Sequence, residues 1–178
     1  MKKMCFILIF VLLLLTSCST SGDTARMINT DNGEIAEKTF NQLIKAIEAD
    51  DKASVRKLFS KNAINAEENF EDEILKLLDF YEGKIISFSQ HETGAETEFD
   101  DKKAKKVLWC AFFVETNKQK YHIAFNLCPI DDFDADNVGI LSFYIINSEN
   151  WHGNYVYRGD RNHNPGINIV LEPPIEEY

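Results

Sequence analysis

Phe70-Glu71-Asp72-Glu73-Ile74-Leu75-Lys76-Leu77-Leu78-Asp79-Phe80-Tyr81-Glu82-Gly83-Lys84-Ile85-Ile86-Ser87-Phe88 is the stretch on which the fold turns. Its first half repeats at helical spacing, with Phe70, Ile74, Leu77, Leu78 and Tyr81 on one apolar stripe that predicts core positions. Glu71, Asp72 and Glu73 crowd the first turn, where the positive end of the peptide dipole favours carboxylates. Gly83 supplies a stop. From Lys84 the period changes to two, and Ile85-Ile86-Ser87-Phe88 begins a strand.

Upstream the helical period persists. Phe40, Leu43, Ile44 and Ile47 fall at i, i+3, i+4 and i+7. Asp50-Asp51 ends that helix and caps a shorter one carrying Val55, Leu58 and Phe59 on its inner side. Ser60 to Asn65 reads as a break. Downstream everything is strand and turn. Thr93-Gly94-Ala95 weakens the first strand, as a bulge or bend does. Asp100 to Lys106 is a charged turn, Val107 to Glu115 a strongly apolar strand, and Tyr121 to Leu127 the next after the turn Thr116 to Gln119. An acidic loop, Asp131 to Asn137, precedes the strand Val138 to Asn147. Glu149 to Gly166 is irregular, and Ile167 to Leu171 adds a short edge strand. Three helices followed by strands predict an α+β fold, with N-terminal helices packed on one face of a curved antiparallel sheet.

Several runs carry a narrower resemblance: Leu43-Ile44-Lys45-Ala46-Ile47, Leu58-Phe59-Ser60-Lys61-Asn62-Ala63, Phe80-Tyr81-Glu82-Gly83-Lys84-Ile85, Asn137-Val138-Gly139-Ile140 and Pro165-Gly166-Ile167. Together they resemble an uncharacterised family of bacterial lipoproteins, a domain of unknown function with a nuclear-transport-factor-2-like, or cystatin-like, cone fold. The resemblance spans about Ile35 to Leu171. It implies fold and anchoring. It implies no reaction, so no catalytic residue is carried over.

The amino terminus supports the anchoring part. Met1-Lys2-Lys3 is a basic start, and Met4 to Leu15 is an unbroken apolar run, too short for a permanent bilayer span. Leu15-Thr16-Ser17-Cys18 then resembles a lipobox. That implies cleavage before Cys18, thioether lipidation of its sulfur and acylation, with palmitate or a similar chain, of the new amino terminus. Two or three acyl chains anchor stably, since each buried CH₂ contributes about 0.8 kcal/mol. The expected organisation is a signal peptide at 1–17, lipidated Cys18 with a polar tether to residue 33, and one α+β cone domain over 34–178. The address is the bacterial cell envelope, extracytoplasmic face, with the membrane as one partner through the lipid on Cys18.

Cleavage leaves 161 of the 178 residues, enough to bury a core without metal or disulfide. The whole chain carries −10, and losing Lys2 and Lys3 takes the side chains to −12. An acidic surface argues against nucleic acid. It suits a basic protein partner or plain solubility. After processing, Cys110 and Cys128 remain as thiols. Pairing about the turn near Asn117-Lys118 sets Cys110 beside Phe125 or Asn126, an offset of about 7–10 Å from Cys128, too far for easy bridging. Both read as buried small hydrophobes.

Chemistry-bearing patterns are sparse. Asp132-x-Asp134-x-Asp136-Asn137 imitates the start of a calcium loop but lacks the Gly at position six and the Glu at position twelve. No metal and no cofactor is therefore expected, and the run reads as a solvated acidic loop. His91, His122, His152 and His163 form no ligand-spaced pair. His122, on a strand, has the residue type of a general base; Asp79 and Tyr81 raise the same question. No catalytic residue is assigned. The segment after the last strong strand holds Trp151, Tyr155, Tyr157, Arg158 and Arg161 among glycines. Trp, Tyr and Arg are the residues that carry binding hot spots, so these five form the candidate binding surface. The alternative is that the aromatics close the end of the cone. The reading is a lipid-anchored extracytoplasmic protein that binds an unidentified protein or small ligand. A cone enzyme using a pocket Asp, His or Tyr, and a surface immunity or inhibitor lipoprotein with an acidic face, stand as alternatives. An open polar interior with an acid beside His122 favours the enzyme. A filled apolar interior favours the interaction protein.

Overall fold

A computed structural model of the chain describes residues 30–151 and 164–171. Four helices come first: α1 (Asn32–Glu48), α2 (Lys52–Leu58), α3 (Lys61–Ala66) and α4 (Phe70–Phe80). Five strands follow: β1 (Ile85–Asp100), β2 (Lys103–Thr116), β3 (Lys120–Asp131), β4 (Gly139–Asn147) and β5 (Gly166–Val170). They form one open sheet in the order β1-β2-β3-β4-β5. The first four make an antiparallel meander, and β5 lies parallel to β4. The α+β class is as expected from the sequence.

Local chemistry sets the helix ends. The Asp31 carboxylate accepts the Glu34 N–H at 3.1 Å and starts α1. α1 stops where Asp50 adopts φ 54°, and the Asp51 N–H reaches back to the Ala46 carbonyl at 3.0 Å. Asp51 then caps α2, accepting from the Ser54 N–H at 3.0 Å and its hydroxyl at 2.6 Å. The expected break at 60–65 is instead α3, capped by the buried Ser60 hydroxyl on the Ala63 N–H at 3.0 Å. Only Ala63 of α3 is buried, so the helix has no apolar stripe for a periodicity to reveal.

The acidic loop holds α3 in place. Asn62 donates to Asp134 at 2.9 Å and to Asn137 at 2.8 Å, and Lys61 pairs with Asp136 at 2.6 Å. Beside it the α2–α3 junction runs against β4, where the Ser60 N–H donates to the Ile140 carbonyl at 3.0 Å. Gly139 permits this approach: at φ 127°, a Cβ there would lie 2.7 Å from the Ser60 nitrogen.

The space between helices and sheet is filled by rings. Phe40 of α1 stacks on Phe112 of β2 at 4.2 Å, and Phe112 on Phe125 of β3 at 5.8 Å. Phe59 meets Phe70 and Phe143 edge-on, and Tyr81 stacks on Tyr121 at 5.2 Å. Leu43, Ile74, Leu77, Leu108, Ile123 and Ile145 complete this core, all fully buried. Leu78, expected on the same stripe, is only half-buried because the stripe centres on Ile74 and Leu77.

Candidate functional site

Strand alternation assigns the remaining side chains to the sheet's other face. Phe113 sits opposite His122, Ala111 opposite Ala124, and Trp109 opposite Asn126. His122 also faces Ile146, and Ala124 faces Tyr144. None of the four helices packs here. Tyr144, Ile146 and Val170 nevertheless form a small buried cluster, with Ala124 and Trp151 packed against it.

His122 is the centre of this face. Trp151, which follows the 3₁₀ turn at Ser148–Asn150, stacks on the imidazole at 4.6 Å with planes 24° apart. Phe113 lies 5.2 Å from it on the neighbouring strand. His91 completes the group. A register shift between Gln90 and Glu92 leaves His91 without an opposite residue on β2. Its ring sits 4.7 Å from Phe113, 5.8 Å from Trp151 and 6.1 Å from His122.

The electrostatics of this cluster are unusual. His122 is 8 % exposed, and its Nε2 has no hydrogen-bond partner. Burial, helped by the neighbouring His91, pushes its pKa from 6.5 down to about 4. The ring is therefore neutral at physiological pH. Among the described residues, no carboxylate hydrogen-bonds to it. The Trp151 indole Nε1 is likewise buried and unpartnered. Each such group costs about 1–3 kcal/mol relative to a satisfied one.

Other residues singled out by sequence fall apart in space. Asp79 is exposed on α4, lining a groove of about 590 Å³ with Glu67, Glu73, Lys76, Phe80 and β5. Tyr81 is buried in the ring core, its hydroxyl unpartnered and its pKa raised by burial. In the calcium-like run, Asp131 accepts from the Phe133 and Asp134 N–H groups and from Asn137, while Asp134 caps a 3₁₀ turn. These oxygens are spent on holding the loop. Among the described residues, no group of three His, Cys, Asp or Glu is placed to hold a metal ion. Cys110 and Cys128 are free and buried, and burial raises their thiols to about 12 and about 11. Cys110 pairs with Phe125 in the register, as the turn geometry predicted.

Of the five candidate binding residues, Trp151 lies in the described part of the chain, half-buried on the ring cluster. Tyr155, Tyr157, Arg158 and Arg161, like Cys18, His152 and His163, lie outside the described residues. Sequence reading passed over His91 and Phe113 as partners of Trp151. Their only signal was alternation on strands whose pairing is set elsewhere.

Residues 42–148 match the model of a domain of unknown function, DUF5104, and the chain belongs to that family. No curated protein matches the chain.

Proposed function

We propose that this chain is a lipid-anchored binding protein of the bacterial cell envelope. Acylated Cys18 would hold it at the extracytoplasmic face, and the cone-shaped domain would present its outer surface to a protein or small-molecule partner. One observation carries the reading: the interior between helices and sheet is packed with Phe40, Phe59, Phe112, Phe125 and Phe143, while the unpartnered polar atoms of His122 and Trp151 sit on the outer sheet face. A cone enzyme needs room for a substrate inside and an acid to orient its base. His122 has rings for neighbours and a pKa of about 4, which makes it a weak base. The immunity or inhibitor reading draws on a different feature, the acids of β1, which form no ion pair with another described residue.

The test joins anchoring to binding. Wild type and Cys18→Ala are expressed in bacterial cells fed a palmitate analogue, with a photo-crosslinking residue in place of exposed His91. Label on the wild type alone supports anchoring, and equal label on both refutes it. A discrete crosslinked adduct that disappears on Trp151→Ala supports binding at this face. An adduct unchanged by Trp151→Ala refutes it.

A further inference from the structure

β1 is a sheet edge. It pairs with β2 along its length and with no other strand among the described residues. Its first half lies under α1, where Phe88 meets Phe40 at 4.9 Å. Its last five residues, Glu96–Asp100, are all exposed, with Phe99 63 % exposed. An edge strand leaves alternate backbone N–H and C=O groups without a ladder partner.

Side chains on this stretch have a period of two. Glu92, Glu96, Glu98 and Asp100 share the outer face, opposite Ala111, Val107, Lys105 and Lys103. None of the four is in an ion pair with another described residue. The lysines across from them are engaged elsewhere: Lys105 lies 3.5 Å from Asp131, and Lys103 sits over the Phe133 ring at 5.5 Å. Gly94 interrupts the row, and the Trp109 indole lies over it. Among the described residues, the result is an unpaired backbone edge flanked by unneutralised carboxylates at alternate positions.

We propose that the outer edge of β1, from Glu92 to Asp100, receives an extended lysine- or arginine-rich segment of another protein as an added strand. This rests on the interaction reading above and names the partner's chemistry. Strand addition places every second side chain of the incoming segment beside a same-face side chain of β1, about 4.5–5.5 Å away. Basic residues at alternate positions then each meet a carboxylate, while the backbone edge supplies the hydrogen bonds. A second copy of this chain is disfavoured as the occupant. Pairing β1 with itself sets carboxylates against carboxylates, which destabilises a ladder.

The full chain in neutral detergent is titrated with three probes: an eight-residue peptide of alternating lysine and valine, the same peptide with glutamate for lysine, and the lysine peptide N-methylated at alternate residues. Binding is read by amide hydrogen exchange, residue by residue. The lysine peptide should bind, slow exchange in β1 between residues 92 and 100, and weaken as salt rises. Glu96→Lys combined with Glu98→Lys should weaken it at least about tenfold, about 1.4 kcal/mol and within what two exposed ion pairs supply. N-methylation should abolish β1 protection on the unaltered chain, which keeps the test independent of any variant's folding. Equal affinity for the double variant, equal binding of the N-methylated peptide, or no protection in β1 overturns the proposal. Protection around His122 and Trp151 instead would also overturn it while leaving the interaction reading standing. Anchoring is judged separately, by label on Cys18.

Discussion

The two faces of the sheet use aromatic rings for different ends. On the helix side, Phe40, Phe112 and Phe125 stack with interplanar angles of 14° and 10° and present only carbon to one another. On the other side, the ring cluster of His91, Phe113, His122 and Trp151 mixes carbon with nitrogen, and two buried nitrogens find no partner. Ser142 adds an unpartnered hydroxyl to that same face. On the helix side, Tyr81 contributes the corresponding hydroxyl among the described residues. Hydrophobic burial on the first face is opposed by that one hydroxyl. On the second it is offset by desolvated polar groups. A chain keeps such groups where something besides stability is at stake, which is why the second face is the better place to look for binding.

The sharpest way to break this contrast is to empty one site on each face. Phe112 is fully buried between Phe40 and Phe125. Phe112→Ala should cost about 3–5 kcal/mol, measured by urea unfolding of the full chain. Phe113→Ala, on the half-buried opposite face, should cost clearly less. Equal costs would mean that both faces are core in the same sense.

Acid should separate the faces next. His122 titrates near 4 in the folded chain and at 6.5 when exposed. Between those values the unfolded chain binds more protons than the folded one. Stability therefore holds above pH 6.5 and falls as the pH drops toward 4, by about 3 kcal/mol from this residue. Unfolding midpoints compared from pH 7 to pH 4.5 should show a smaller fall for His122→Phe than for the wild type. Parallel curves would mean that His122 is not held neutral by burial.

Legibility in the sequence follows the same divide. Where apolar residues recur along one element, as Phe40, Leu43, Ile44 and Ile47 do, the pattern is local and the helix is readable. Asp51 is readable as a cap for the same reason. α3 was missed because six residues with one buried alanine carry no period, leaving Ser60 as its only sign. A bulge or bend was expected at Thr93-Gly94-Ala95, and the register shifts of β1 lie instead between Ile85 and Ser87 and between Gln90 and Glu92. Gly94 instead accommodates the Trp109 indole, a cross-strand need that one strand's sequence does not display. β5 was readable as a strand, but its parallel pairing with β4 depends on the path of the chain between them. The ring cluster gathers His91, Phe113, His122 and Trp151 from four places over sixty residues. Trp151 and His122 stood out, each through residue type; their contacts with His91, Phe113 and each other depend on register.

Leu78 offers a smaller test of how sharply the helix-side core ends. Leu77 is fully buried, and its neighbour Leu78 is half-buried. Leu77→Ala should fall in the range of about 2–5 kcal/mol for an emptied site, and Leu78→Ala below about 2. Thermal midpoints of the two variants decide it. Equal losses would extend the core past the stripe that centres on Ile74 and Leu77.

The smallest expected effect is the most telling about the outer face. At pH 7 His122 is already neutral, so replacing it with phenylalanine changes no charge. The substitution keeps a flat ring between Phe113 and Trp151 and removes the unpartnered Nε2. Exchanging a buried unsatisfied polar group for an apolar one of similar shape is neutral or stabilising. His122→Phe should therefore leave the neutral-pH unfolding free energy unchanged or raise it by up to about 1 kcal/mol. A loss of 2 kcal/mol or more would show that Nε2 has a stabilising partner after all, and that the nitrogen is structural. With stability preserved, the same variant isolates function. Loss of the His91-directed crosslink in His122→Phe would then report the missing ring nitrogens, because the fold around them is intact.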